Sequence, residues 1–228
     1  MYKDKIWYLK RFNLFENFKQ EEMDSLDKLV VESEIKKKQP IYLQGDPSEV
    51  LYFLKKGRVK ITRLDESGKE ITLTLLEPGE IFGELGMFSE APRESNAVTM
   101  EDTRLCMVRR KDFEKMMADR SDLSLKITKL MGLRLRQFET KLDELLFRDV
   151  PSRLARLLIR LLSRHRKQTP QGSCIHIKLS QQELANLIGA TREMTSSVLN
   201  SFKREGLIEI EHKYIYVLKQ TELEKMAN

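Results

Sequence analysis

The sequence predicts an α+β chain: antiparallel strands first, then one long helix, then a winged helix-turn-helix. Three observations carry this reading. Glycines at 45, 57, 68 and 79 punctuate short alternating runs at intervals of 11 or 12 residues, as turns do in an antiparallel sandwich or barrel. From Asp122 to Phe147 a proline-free stretch repeats apolar residues at helical spacing. Residues 180–206, SQQELANLIGATREMTSSVLNSFKREG, hold two short amphipathic runs across a glycine, the pattern of a helix-turn-helix.

Each element has its own signal. Phe15, Phe18, Met23, Leu26, Leu29 and Val30 fall at helical spacing and predict short helices over 14–30. Strand-like texture begins near residue 33. Within it, DESGKE is a hairpin turn in which Gly68 supplies positive φ and Asp65 or Ser67 bonds the local backbone. FGELGMFSEAPRES, at 82–95, sets Gly83 and Gly86 around Glu84 and Leu85 and places Glu94 directly after Arg93. Small residues beside an Arg suggest a backbone closing on an anion, and Glu94 opposes that suggestion. In the long helix Met131, Leu135, Phe138, Leu142 and Leu145 form a heptad seam. A seam on a charged helix packs on its own domain or on a second copy, and the spacing favours a dimer. RDVPSRLARLLIRLLSRHRKQ opens another helix, with Pro151 in its first turn and an Arg-rich outer face, and KQTPQGS reads as a loop.

Ser180 and Glu183 form a capping box, so a helix begins at Gln181 with Leu184, Leu187 and Ile188 as its stripe. Gly189 makes the turn. Thr191 caps a second helix, which buries Val198, Leu199 and Phe202 and ends at Gly206. LIEIEHKYIYVLK then reads as a wing hairpin turning near His212 and Lys213, and TELE at 221–224 as a further capping box.

Composition narrows the function. The net charge is +6, and residues 150–228 hold all of the excess, with 13 Lys and Arg against 7 Asp and Glu. A basic module on a neutral one suggests a polyanion as that module's partner; the alternative is a solvated basic surface. Cys106 and Cys174 are two isolated thiols, expected to be buried or incidental, with Cys106 a structural strand residue. No metal, iron–sulfur cluster or haem is predicted. No run approaches membrane-spanning length, and MYKDKIWYLKRF lacks the apolar core of a signal peptide, so a cytoplasmic protein without a membrane partner is expected. No Ser/His/Asp, metal-ligand or Walker-type spacing is present, and no enzyme is expected.

In a helix-turn-helix the second helix presents its N-terminal residues to the major groove. Those residues are Thr191, Arg192, Glu193, Thr195, Ser196 and Ser197, with Ser180, Gln181 and Lys203 flanking them. Arg matches guanine, Glu accepts from cytosine, and Ser and Thr are permissive. Double-stranded DNA is therefore the expected partner.

The order of elements resembles the CRP/FNR family of bacterial transcription regulators over almost the whole chain. QGD at 44–46, LYFLKKGRVKI at 51–61, LEPGEIFGELGMF at 76–88, Arg93, FRDVPSRLARLL at 147–158 and IGATREMTSSVLNSFKREGLI at 188–208 carry the resemblance. It implies a β-roll (double-stranded β-helix) effector domain over 1–120, a dimerisation helix over 121–148 and a winged helix-turn-helix DNA-binding domain over 149–228. It further implies a homodimer on a roughly palindromic site, with RNA polymerase as a partner if the protein activates. By resemblance the effector pocket comprises Gly83, Glu84, Leu85, Arg93, Glu94, Phe138 and Glu139, with Glu84 on a ribose hydroxyl and Arg93 on a cyclic phosphate. Glu94 departs from the Ser or Thr of cyclic AMP binders. Phe138 and Glu139 stand where the cyclic AMP receptor sets Thr and Ser against adenine. Both departures point away from cyclic AMP, towards another effector or none, and Glu94 or another internal carboxylate is expected to neutralise Arg93. Ser197 replaces a second Arg of the recognition helix, so one base pair is expected to be read loosely. The alternatives are a cyclic-nucleotide-responsive regulator and a ligand-binding module that controls a protein partner.

Overall fold

The structure is a computed structural model and describes residues 13–87, 91–170 and 172–227. It divides into two compact bodies, Met1–Lys69 with Leu73–Leu135, and Glu70–Thr72 with Arg136–Asn228.

In the first body a short turn over Asn13–Phe15 and helix α1 (Gln20–Leu29) precede the strands. α1 begins where the Lys19 N–H donates to Glu22 Oε2 at 2.6 Å. Met23, Leu26 and Val30 are buried, whereas Leu29 is exposed. Val30, four residues after Leu26, takes the inward place expected of Leu29. Strands β1 (Val31–Ile35), β3 (Val50–Lys56), β6 (Ile81–Phe82) and β8 (Thr103–Arg109) form one sheet in the order β1-β8-β3-β6. Strands β2 (Pro40–Tyr42), β4 (Val59–Leu64), β5 (Glu70–Leu76) and β7 (Asn96–Thr99) form a second, in the order β2-β7-β4-β5.

Strand β3 shows how the layers are held. Its residues alternate between two cores, so its buried run is continuous. Leu51 and Phe53 join Phe15, Met23, Leu26 and Cys106 under the helices. Tyr52 and Leu54 join Tyr42, Val59, Phe82 and Leu105 between the sheets. At the β4–β5 turn Asp65 Oδ1 accepts from the Ser67 N–H at 2.9 Å, and Gly68 has φ +81°, as expected of DESGKE. Helix α2 (Arg110–Asp119) and the start of α3 (Ser121–Phe147) complete this body through Phe113, Leu123 and Ile127. Arg120 ties them to α1 by pairing with Glu22 and Asp122.

The long helix α3 leaves Leu135, Phe138 and Leu142 exposed, with Leu133, Leu146 and Phe147. Met131 and Leu145 are half-buried. Leu145 packs inside the second body, where a Cβ on Gly189 would lie 2.6 Å from its Cδ2.

In the second body α4 (Val150–His165) starts at Asp149, whose side chain accepts from the Ser152 N–H at 2.9 Å. It buries Leu154, Leu157, Leu158, Leu161 and Leu162. A sheet of order β11-β12-β10-β9 uses β9 (Arg166–Thr169), β10 (Gly172–Ile175), β11 (Ile208–Glu211) and β12 (Tyr214–Val217). Here KQTPQGS departs from expectation: Lys167, Gln168 and Thr169 belong to β9 and Ser173 to β10, with which β9 pairs. β9 lies at the sheet edge, where polar side chains are tolerated. Helices α5 (Gln181–Ile188), α6 (Arg192–Arg204) and α7 (Gln220–Met226) complete the body. TELE is no capping box: α7 already begins at Gln220, and its N-cap, Lys219, makes no side-chain cap. The β11–β12 turn falls at His212 (φ +50°) and Lys213 (φ +69°), the double positive φ that suits a two-residue hairpin.

Candidate effector pocket and nucleic-acid interface

The first site is built on the Arg93 segment. The Arg93 backbone is clasped by the QGD loop: its N–H donates to Asp46 O and its carbonyl accepts from the Gly45 N–H, both at 2.8 Å. The side chain is thereby directed inward and is 6% exposed. Its Nη1 donates to Gly83 O at 2.9 Å and its Nη2 to Val50 O at 2.5 Å. The guanidinium lies 4.4 Å over the Tyr42 ring, a favourable cation–π placement. Gly83 is required here: its φ is +80°, and an added Cβ would meet Arg93 Nη1 and Val50 O at 2.9 Å. Burial pushes the Tyr42 phenol up to about 12, against the opposing pull of Arg93, so this hydroxyl stays neutral.

Glu84 opens a short turn over Glu84–Met87 and has no exposure. Its Oε1 pairs with Arg134 of α3, which also donates to Ile81 O. Sequence reasoning missed Arg134, because an Arg beside a helical seam looks like one more solvated charge. The expected neutralisation of Arg93 by Glu94 is overturned. Glu94 is exposed and pairs with Arg63 of β4 at 2.6 Å, and Arg63 Nε also donates to the Glu94 carbonyl. Arg93 turns in to the Gly83 and Val50 carbonyls, and Glu94 turns out to Arg63. Among the described residues no carboxylate pairs with Arg93, and Arg93 Nε and Glu84 Oε2 are buried without a hydrogen-bond partner. Leu85 is exposed; Phe138 and Glu139 are exposed and belong to the second body. The arrangement offers one buried cation with a free donor and one buried carboxylate with a free acceptor.

The second site is the helix pair α5–α6. Ser180 caps α5 with its hydroxyl accepting from the Glu183 N–H at 3.2 Å, and Glu183 Oε2 accepts back from the Ser180 N–H at 2.7 Å. Gly189 ends α5 at φ +64°. Thr191 Oγ1 accepts from the Met194 N–H at 3.2 Å and starts α6. Thr191, Arg192, Glu193, Ser197 and Lys203 are exposed, and Ser180, Gln181 and Ser196 are half-buried. Thr195 is corrected: it is fully buried, its hydroxyl donating to Thr191 O at 2.9 Å. It shares the inward face with Leu199 and Phe202, each about one or two turns away. Lys203 pairs with Glu209 at 3.0 Å, and this partner holds the Glu209 carboxyl below its usual range.

The basic excess is partly structural. On α4, Arg153 donates to Ile188 O at 2.7 Å, Arg156 to Ala227 O at 2.5 Å and Arg160 to Glu144 at 3.3 Å. Lys178, absent from the expected interface, is exposed with its Nζ 5.0 Å over the Tyr214 ring, which stacks on His176. No His, Cys, Asp and Glu cluster of metal-holding size occurs among the described residues, and no helix there is long and apolar enough to cross a membrane.

Residues 32–120 match the cyclic nucleotide-binding domain, and residues 152–226 match the Crp-like helix-turn-helix domain. The chain is 31% identical over 221 residues to the CRP-like cAMP-activated global transcriptional regulator of Mycobacterium tuberculosis, covering 96% of this chain and 98% of that relative. In structure it is similar to a CooA mutant from Carboxydothermus hydrogenoformans, with TM-score 0.79, 27% identity and 95% and 96% of the two chains covered. It is also similar to the c-di-GMP responsive global regulator CLP of Xanthomonas campestris, with TM-score 0.76, 26% identity and 87% and 99% covered.

Proposed function

The chain belongs to the CRP/FNR family of DNA-binding transcription regulators, and from that premise we propose that it works as a homodimer on a roughly palindromic site, under an anionic effector other than cyclic AMP held at Arg93. It is a regulator and not an enzyme. The observation that carries the effector reading is the buried Arg93 guanidinium, which has carbonyls and a Tyr ring as neighbours and a free Nε. A buried cation without a counter-charge is costly, and an anion with an acceptor oxygen relieves that cost. The free Glu84 Oε2 calls for a hydroxyl or amine on the same ligand.

Phe138 and Glu139 speak against adenine by their resemblance positions; Glu94, held by Arg63, bears on the question no longer. Because Glu94 is turned away, and because a relative is cAMP-activated, a cyclic-nucleotide-responsive regulator is the second reading. The dimer seam is Met131, Leu135, Phe138, Leu142 and Leu145, three of them exposed apolar residues. Arg192 and Glu193 read bases. Ser197 lacks the bidentate fork of an Arg, so its base pair is read loosely. RNA polymerase joins as a partner if the protein activates.

Calorimetry with cyclic AMP, cyclic GMP and cyclic di-GMP, beside DNA binding by the untreated protein, tests the effector. Binding of an anion other than cyclic AMP, lost in Arg93→Ala, is expected. Micromolar binding of cyclic AMP defeats its exclusion. Tight DNA binding without any additive, and no anion bound, defeats the effector reading in favour of a constitutively competent dimer. A module acting only on a protein partner would lack sequence-specific DNA binding with a steep salt dependence.

A further inference from the structure

Among the described residues, the exposed positions of α6 are charged or polar except Met194, which is 50% exposed. The cap that starts the helix fixes its place: Thr191 Oγ1 accepts from the Met194 N–H. Met194 is therefore the third residue of α6, within the turn that a recognition helix presents to base edges. The inward face is set by Thr195, Leu199 and Phe202. Met194 lies about 100° around the helix from Thr195, on the flank it shares with Ser197 one turn on. Neighbouring Glu193 and Ser197 are exposed, so the base-facing surface is polar with one flexible apolar side chain set in it. The major groove carries one apolar group on its base edges, the C5-methyl of thymine. A thioether is unbranched and adapts to such a target.

We propose that Met194 packs on a thymine C5-methyl group, and so determines specificity for a T·A pair beside the pair read by Glu193. The contact requires no hydrogen bond and adds apolar discrimination to a helix in which Ser197 forgoes an Arg fork.

The experiment uses the full chain and a DNA site selected from random duplexes, with selection run both with and without cyclic AMP. Each thymine of the selected site is then replaced in turn by deoxyuridine, which removes the methyl group alone. The native protein is expected to lose about fourfold in affinity per half-site at one position, the ratio set by one buried methyl group. Met194→Ala is expected to lose this sensitivity at that position, and Met194→Leu to keep it. A deoxyuridine profile unchanged by Met194→Ala overturns the proposal. So does a profile with no sensitive thymine, or a Met194→Ala variant that weakens binding uniformly at every position.

Discussion

Glu84 has no exposure, and Arg134 supplies its counter-charge from α3 while also donating to Ile81 O. Removing one partner of such a pair strands the other in a low-dielectric setting. Glu84→Ala is therefore expected to lower the urea-unfolding stability by about 3 kcal/mol. The double change Glu84→Leu with Arg134→Met should recover most of that loss. A loss under about 1 kcal/mol in the single variant would mean that Arg134 finds water instead. The Arg63–Glu94 pair is the contrasting case, since both side chains are about half exposed or more and an exposed ion pair contributes little. The two carboxylates stand ten positions apart in one segment of sequence and differ because one is directed into the sheet core and the other is not.

At the scale of elements, the α5–α6 turn depends on Gly189. Its φ is +64°, and a Cβ there would lie 2.6 Å from Leu145 Cδ2. Gly189→Ala is expected to cost about 2 kcal/mol through backbone strain and that clash, seen as a lowered midpoint in thermal unfolding with DNA affinity lost in parallel. An unchanged midpoint would show that the turn relaxes freely. Above this turn two cations meet the carbonyl end of α5, where the helix dipole favours them: Lys141 donates to Leu187 O and Arg153 to Ile188 O. Burial, with Arg160 and then Arg153 nearby, lowers the Lys141 pKa to about 8, while Glu144 opposes the shift. The folded pKa lies below the unfolded value, so the unfolded state binds more protons within the window. Stability carried by Lys141 is therefore lowest below about 8 and rises towards about 10.5. Lys141→Met should flatten this rise in unfolding measured across that window; an identical pH profile in the variant would refute the assignment. The helix pair, its caps and its turn were legible because Ser180, Glu183, Gly189 and Thr191 act on their own neighbours. Strand β9 was not, because an edge strand of polar residues has no periodic apolar signal.

For the whole molecule, α3 carries exposed Leu135, Phe138 and Leu142 at the spacing of the proposed seam, and the proposed dimer would place two recognition helices on one duplex. Leu142→Glu puts a carboxylate on that seam. Sedimentation is expected to show a monomer, with helical content unchanged. DNA affinity should fall by about a hundredfold, as bivalent binding is lost. A Leu142→Glu variant that remains dimeric would remove the seam from the interface. The charge distribution acts at this scale too: part of the basic excess of the last third secures α4, while Arg192 and Lys178 are exposed, as the proposed DNA contact requires.

Sequence by itself determined the family, the main order of elements, the caps of α5 and α6 and the turns at Gly68 and Gly189, because these rest on local periodicity and on side chains bonding the backbone beside them. Tertiary structure decided which way each polar side chain faces. It turned Glu94 out to Arg63, left Arg93 buried among carbonyls, joined Arg134 to Glu84 and took Thr195 into the core. The ion pairs among these choices depend on partners tens of residues away in the chain, Arg134 being fifty from Glu84 and Arg63 thirty-one from Glu94, and on the cost of leaving a buried charge without one.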